Sequence, residues 1–433
     1  MTHHVILGNG PTGVIAAETL RKADPRCYIT LVGDEPELPY SRMAIPYLLV
    51  GNIAEHGTHL RKNSAHYDLQ RITMLHARAE KLDTQAKTVT LSNGTLLKYD
   101  KLLLATGSTP MKPPITGIDS PGVYPCWTLD NARQILKYAK PGARVLQMGA
   151  GFIGCIIMEA LATRGTELTV VEMGDRMVPR MMTPKAGGMM KDWVEKKGVK
   201  VYTNTKVEAI ANIGGNLKVK LSNGETLPVD LVISATGVKP NIAFLKDSGV
   251  KTNVGVVVDK TMRTNVLDVF AAGDVAEAID FSTGKYAVNA IQPNAADQGR
   301  LAASNMLGQS NASEGSLALN VLDAVGLIST SFGQWWGVDA KEGGSSVELV
   351  DEASSKYLSL QFKDDVLVGA TSLGMTDHVG ALRGLIQTRT SLGKWKDKLM
   401  HNPTQLMEAY LECAQAQASN TNANALGRLR AIA

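Results

Sequence analysis

Residues 143–165 read ARVLQMGAGFIGCIIMEALATRG, and this stretch decides how the whole chain is read. An apolar run meets three glycines, Gly149, Gly151 and Gly154, and continues with helical spacing, which predicts a strand, a tight turn and a helix. Each glycine has its own reason. The first permits the turn, the second lets a pyrophosphate approach the backbone, and the third lets helix and strand pack closely. The helix N-terminus, with Phe152 and Ile153 inside the turn, faces the phosphates. The next strand, ELTVVE (167–172), ends in Glu172, where a carboxylate meets an adenine ribose.

The chain has already used this grammar once. HHVILGNGPTGVIAAETLRK (3–22) sets Gly8, Gly10 and Gly13, with Pro11 and Thr12 between them, behind another apolar run. Its second strand, CYITLVGDE (27–35), ends in Asp34-Glu35. One such turn is a weak signal. Here each has its strand, its helix and its acid at the right distance, so two dinucleotides are expected. The halves also match further on, LSNGTLLKYDKLLLATGSTP (91–110) answering LSNGETLPVDLVISATGVKP (221–240) across the proline-rich linker PMKPPITGIDSPG (110–122). In the first half ARAEKLD and TVTLSNGTLLKYD predict short strands with a reversal at Asn93-Gly94.

Beyond residue 240, VFAAGDVAEA predicts a strand ending in Gly273-Asp274, and NAADQGRLAASNML a helix. From about 312, ALNVLDAVGLISTSFG, SVELVD and KYLSLQFKDDVLVGATSLG predict an antiparallel sheet turning at Asp364-Asp365. Helices are expected from there to residue 418, with QASNTNANALG frayed. The fold class is α/β, with two Rossmann-like dinucleotide-binding domains of the three-layer ββα type plus a C-terminal α+β domain.

Composition agrees. A chain of 433 residues suits two or three domains, 44% apolar residues fill their cores, and 41 glycines suit a turn-rich α/β fold. A net charge of +4 with interspersed signs argues against nucleic acid and leaves room for an acidic partner. No apolar run reaches a membrane span, and the first strand begins at once, leaving no room for a signal peptide. Cys27, Cys126, Cys155 and Cys413 show neither metal-ligand nor disulfide spacing, so a reduced, cytoplasmic protein is expected.

Two glycine turns, Ala105-Thr106-Gly107, Ala235-Thr236-Gly237 and the late AAGD occur in the order found in the pyridine nucleotide–disulfide oxidoreductase family. Over residues 1 to about 375 the chain resembles that family, and more narrowly its ferredoxin-reductase, nitrite-reductase-flavoprotein and NADH-oxidase branches. The resemblance implies an FAD-binding domain of residues 1–112 and 241–311 with an NAD(H)-binding domain, 113–240, inserted in it. A C-terminal α+β interface domain, 312–384, which in relatives forms the dimer contact, and a helical tail, 385–433, complete the chain. It implies FAD on Gly8, Gly10, Pro11, Thr12, Gly13, Glu35, Ala79, Ala105, Thr106 and Gly107, with Gly273-Asp274 at the ribityl chain. The helix from about Asn294 would aim its positive end at the flavin. NADH falls to Gly149, Gly151, Phe152, Ile153, Gly154, Glu172 and Gly237. Glu172 repels the extra phosphate of NADPH and favours NADH, although Arg176, four residues on, offers a cation.

Relatives relay electrons through paired cysteines, or through a single one just past a Y-S-R-like segment. That segment here is YSRMAIPYLL (40–49), with Met43, Ala44 and Ile45 where the thiol would be. Electrons are therefore expected to leave the flavin directly, as in ferredoxin and rubredoxin reductases. Arg42 is the candidate charge near the flavin or its pyrophosphate, the alternative being an arginine paired at a domain surface. Ile156 replaces the glutamate that relatives carry two residues after the second turn, and Glu159 lies about 300° round the helix from it. That bears on nicotinamide positioning rather than on reaction class, since the cofactors carry the chemistry.

Other features are read more plainly. His56, His59 and His66 are expected as surface residues of one helical stretch, and Trp335-Trp336 as packing of the C-terminal domain. Lys394, Lys396 and Lys398 around Trp395 are read as a tail packing on its own body rather than a docking or membrane surface. The expectation is an FAD-containing NADH:acceptor oxidoreductase without a redox-active cysteine. Its acceptor would be a redox protein or a small molecule, and its assembly a homodimer or a subunit of a larger redox complex. Two alternatives stand beside it: an NADH-oxidase-like enzyme reducing oxygen or quinone, and an FAD/NAD-binding regulatory or assembly subunit with little turnover.

Overall fold

The computed structural model describes residues 1–416, so the expected fraying of QASNTNANALG lies outside the described residues. Two compact units form, one of Met1–Met173 with Val199–Leu317, the other of Gly174–Gly198 with the chain from Ala318 onward.

The first unit holds two five-stranded sheets in which every pairing is parallel. The first runs Val269–Ala271, Lys101–Leu104, His3–Leu7, Tyr28–Gly33, Ile72–His76. The second runs Val123–Pro125, Leu231–Ser234, Arg144–Met148, Glu167–Val171, Lys200–Tyr202. Continuous apolar runs suit strands covered on both faces, and Val5, Ile6 and Leu7 are buried accordingly. In each sheet the strand that opens the half is central, with its successor on one side and the ATG strand on the other. Leu7 therefore pairs with both Val32 and Leu104, and Met148 with both Val171 and Ser234. Both glycine turns leave the carboxyl end of a central strand, the switch point at which open α/β sheets bind ligands.

Each half adds a three-stranded antiparallel sheet: Ala79–Asp83, Thr88–Leu91 and Leu96–Lys98, then Val207–Ile213, Asn216–Leu221 and Thr226–Val229. The reversal at Asn93-Gly94 puts Gly94 at φ +80°, and Gly224 repeats it at +91°. The apolar stretch 101–110 is not one strand. It breaks at Gly107 (φ +65°), and Ser108–Pro110 leaves the sheet to pair antiparallel with Val238–Pro240. The repeated tails of the two halves thus bind each other.

The second unit is an antiparallel sheet in the order Leu319–Ala324, Leu327–Gly333, Val366–Leu373, Lys356–Lys363, Gly344–Asp351, turning at Asp364 (φ +51°) and Asp365. The helix Pro184–Lys196 belongs with it: Thr183 Oγ1 donates to Tyr357 Oη at 2.8 Å and Trp193 Nε1 to Val325 O at 3.1 Å. The tail turns its tryptophan inward. Trp395 is buried, donates to Glu412 at 2.9 Å, and carries Lys398 Nζ 4.0 Å above its ring. The histidines do not share one helix. His56 sits in the single turn Glu55–Thr58, His59 is extended and bridges to Tyr40, and His66 opens the short helix His66–Leu69 with its ring 2.8 Å from Glu18. Among the described residues no helix is long and apolar enough to cross a membrane.

Candidate functional site

The glycines show what the turns are built around. Gly8 (φ +116°) and Gly149 (φ +97°) are in the left-handed region, and a Cβ there would lie 2.0 Å from Ala105 O and 2.4 Å from Ala235 O. At Gly13 and Gly154 a Cβ would lie 1.9 and 2.4 Å from the carbonyl of the first glycine of the turn. The middle glycines differ. Gly10 and Gly151 have φ near −73° and −74°, which any residue adopts, and nothing lies within 4 Å of a Cβ built on either. Neither backbone nor packing asks for glycine there. Both cap their helices without a side-chain bond, leaving N–H groups free of a side-chain cap above an open cradle, which suits a phosphate-bearing ligand.

Behind the first turn the chain stacks its late segments. A Cβ on Gly273 would lie 2.3 Å from Thr12 Oγ1, and one on Gly299 2.7 Å from Thr12 O, so Gly273-Asp274 and the helix Gln292–Met306 close on the helix Pro11–Ala23. Ser41 Oγ donates to Gln292 Oε1 at 2.6 Å, which sets the YSRM segment against the start of that helix. Asn294 spends its amide on the carbonyls of Leu317 (3.2 Å) and Asn289 (3.4 Å). Asp274 accepts from Ser108 Oγ at 3.1 Å. Burial raises its carboxyl above the usual range, against that hydroxyl and the Arg42 charge. Thr106 and Asn241 exchange hydrogen bonds of 2.9 and 2.8 Å, joining the first ATG segment to the chain after the second.

A cavity of about 1360 Å³ opens beside the first turn. Its walls bring together Gly8, Glu35, Arg42, Ala79 and Thr106 of the expected flavin residues, with Ser108, Tyr124, Trp127 and Asn131. Gly10, Pro11, Thr12, Gly13, Ala105, Gly107, Gly273, Asp274 and Asn294 stand outside these walls, as do the residues expected to hold NADH. Gly237 (φ +106°) lies behind Met111, a wall residue whose methyl would be 2.9 Å from a Cβ on it.

Arg42 is paired inside this cavity wall. One amino group meets Glu35 at 2.7 Å, the other donates to Trp127 O at 2.8 Å, and the guanidinium lies 5.1 Å over the Trp127 ring. Tyr40 donates to the other Glu35 oxygen at 2.5 Å and accepts from Leu129 N–H at 3.3 Å; burial pushes its hydroxyl well above the ordinary range, with Glu35 adding to the effect. Sequence reasoning singled out Glu35 and Arg42 separately and missed Tyr40 and Trp127. Tyr40 lies within the quoted segment, so its proximity was a signal; Trp127 gave none.

At the second turn Glu172 is half-buried and accepts from Ala150 N–H at 2.7 Å. Ile156 sits half-buried on the helix Phe152–Thr163. Gln147, fully buried where the first copy has Ile6, donates to Gly149 O at 2.9 Å, another contact the sequence did not announce. Arg176 is bonded to Asp175 at 2.7 Å and to the carbonyls of Met182 and Pro179 at 3.0 and 3.3 Å. All four cysteines are buried, and burial pushes the Cys126 and Cys155 thiols up to about 12, with Glu172 adding to it at Cys155. Among the described residues none lines the cavity.

Two parallel sheets, each with an open glycine cradle at its switch point, define a protein that binds two dinucleotides, the layout of a cofactor-to-cofactor oxidoreductase. The chain belongs to the pyridine nucleotide-disulphide oxidoreductase family, whose model matches residues 2–299. It is an oxidoreductase that works with FAD and a nicotinamide nucleotide. It is 32% identical over 405 residues to the NADH-dependent phenylglyoxylate dehydrogenase subunit epsilon of Aromatoleum evansii, covering 93% of this chain and 95% of that one. It is 33% identical over 315 residues to the NADH oxidase of Methanocaldococcus jannaschii, covering 70% of each. Among solved structures, the ferredoxin reductase for the CYP199A2 system from Rhodopseudomonas palustris superposes with a TM-score of 0.82 at 25% identity, over 90% of this chain and 96% of that one.

Proposed function

We propose that this chain moves electrons between NADH and a separate redox protein, with FAD resident at the first glycine turn and NADH exchanging at the second. The observation that carries this is the pair of middle glycines, each with nothing within 4 Å of a Cβ built on it. When bound, FAD supplies the chemistry: it accepts hydride and releases electrons singly or in pairs.

The chain's residues do the rest. Residues 1–112 and 241–311 would hold FAD, with Glu35 at the adenine ribose and Asp274 at the ribityl hydroxyls. Residues 113–240 would hold NADH. Glu172 would accept from its ribose hydroxyls and repel a 2′-phosphate, and Arg176 has already committed donors to Asp175, Met182 and Pro179. Four buried thiols offer no relay, so the acceptor would take electrons from the flavin itself. Near full-length similarity to a subunit of an NADH-dependent dehydrogenase and to a ferredoxin reductase supports a protein acceptor, and the first supports assembly within a larger complex.

Similarity to an NADH oxidase favours a second reading, with oxygen as acceptor. An anaerobic titration with NADH, followed by flavin absorbance, tests the first claim. Rapid bleaching that reverses with an iron–sulfur protein but only slowly with air supports the proposal. Rapid reoxidation by air favours the oxidase, and a bound flavin that NADH leaves oxidised makes the chain a binding subunit.

A further inference from the structure

We propose that Trp127 is a positioning residue of the flavin site, a side chain whose contacts tie the groups facing the two ends of FAD to each other. The inference rests on FAD occupying the first turn.

Glu35 and Asp274 stand at opposite ends of a chain of contacts, and Trp127 is its middle. Its indole N–H donates to Ser108 O at 3.0 Å, and the Ser108 hydroxyl donates to Asp274 at 3.1 Å. Its own carbonyl accepts from Arg42 at 2.8 Å, its ring carries the guanidinium at 5.1 Å, and the far amino group of Arg42 reaches Glu35 at 2.7 Å. Trp127 also lines the cavity with Ser108, Arg42 and Glu35. A planar cation held by one carbonyl and set against two rings, Trp127 at 5.1 Å and Tyr40 at 5.9 Å, has few orientations left, so Glu35 meets its ligand already oriented. Without the indole, Arg42 keeps the backbone carbonyl and the Tyr40 ring but loses the nearer of its two aromatic faces. Without the indole N–H, Ser108 loses a contact that, beside its pairing with Pro240, holds the strand carrying its hydroxyl to Asp274.

The test uses the full chain, stripped of flavin and reconstituted with FAD. Trp127→Leu is expected to bind FAD about ten- to thirtyfold more weakly, the combined effect of a cation–π contact and a hydrogen bond. Trp127→Phe, which keeps the face and loses the N–H, should fall between it and wild type. The melting temperatures of the flavin-free proteins should stay within a few degrees of one another. In an Arg42→Met background the part of the Trp127→Leu effect that acts through Arg42 should vanish, a non-additivity that loss of packing does not produce. Wild-type affinity in Trp127→Leu, full additivity with Arg42→Met, or equal losses in Phe and Leu variants matched by a fall in flavin-free stability would overturn the role. A wild-type protein that takes up no FAD would overturn the flavin reading beneath it, a result distinct from any of these.

Discussion

Placing a methyl group where each middle glycine leaves space should separate the two cofactors. At Gly10 and Gly151 φ is −73° and −74°, so alanine fits the backbone without strain, and no protein atom lies within 4 Å of its Cβ. The cost to the protein is that of exchanging a glycine N-cap for alanine, about 1 kcal/mol, which for a domain of this size lowers Tm by roughly 2–4 °C. The cost to the ligand is of another order. The methyl occupies the ground over which a pyrophosphate passes, and shifting a bound reactant by about 1 Å removes on the order of 100-fold in rate. Gly151→Ala should therefore retain FAD through gel filtration yet be reduced by NADH about 100-fold more slowly in stopped-flow absorbance. Gly10→Ala should fold and lose its flavin. A Gly151→Ala protein that holds FAD and is reduced at the wild-type rate would refute the argument that the second cradle holds the nicotinamide nucleotide.

Two further outcomes are expected. Glu172→Gln keeps an acceptor for Ala150 N–H but drops the charge, so kcat/KM for NADH should fall about tenfold and the preference over NADPH should shrink; an unchanged NADH/NADPH ratio would remove Glu172 from the ribose. His4 is buried without a hydrogen-bond partner on either ring nitrogen, and burial lowers its pKa from 6.5 to about 4. The unfolded chain takes up that proton first, so stability should fall as pH drops from 6.5 towards 4, by about 3 kcal/mol in all, and His4→Val, matching Val145 in the second copy, should flatten this slope in urea titrations; an unaltered slope would assign the acid sensitivity elsewhere.

The turns were legible because their demands are local. Gly8 takes a positive φ, Gly13 answers to the Gly8 carbonyl only five residues back, and the strand, acid and helix that surround them lie within some thirty residues, although the Ala105 carbonyl that Gly8 also meets comes from far along the chain. What sequence did not show depends on where distant segments return. Arg42 and Trp127 are 85 residues apart, and nothing in PCWTLDNAR marks the indole as a platform for a cation. The helix Pro184–Lys196 was legible as a helix, but its pattern could not say that its N-cap threonine binds a tyrosine 174 residues later on the C-terminal sheet. The stretch holding His56, His59 and His66 misled because its histidine spacing suits a helix, while His59 is held extended by its bridge to Tyr40. Gln147 is the reverse case. A polar residue in an apolar strand is visible, but its use, holding the Gly149 carbonyl, appears only once the turn folds back over the strand end.

The two cradles differ at their acids, and the difference fits the roles proposed for them. Both oxygens of Glu35 are engaged before any ligand arrives, one by Arg42, half-buried in the cavity wall, and one by the buried Tyr40. A carboxylate fixed on both sides has little freedom left to lose on binding, which strengthens retention. Each of its oxygens still has a lone pair for a ribose hydroxyl. Glu172 instead accepts from Ala150 N–H, a donor inside the very turn that is expected to meet the phosphates. A ligand entering that turn competes with this hydrogen bond, so part of its binding energy is offset. That suits a nucleotide that must leave at every turnover. On the proposed assignment, the same fold, built twice from nearly the same grammar, would hold one dinucleotide by prior commitment of its acid and admit the other by competition with it.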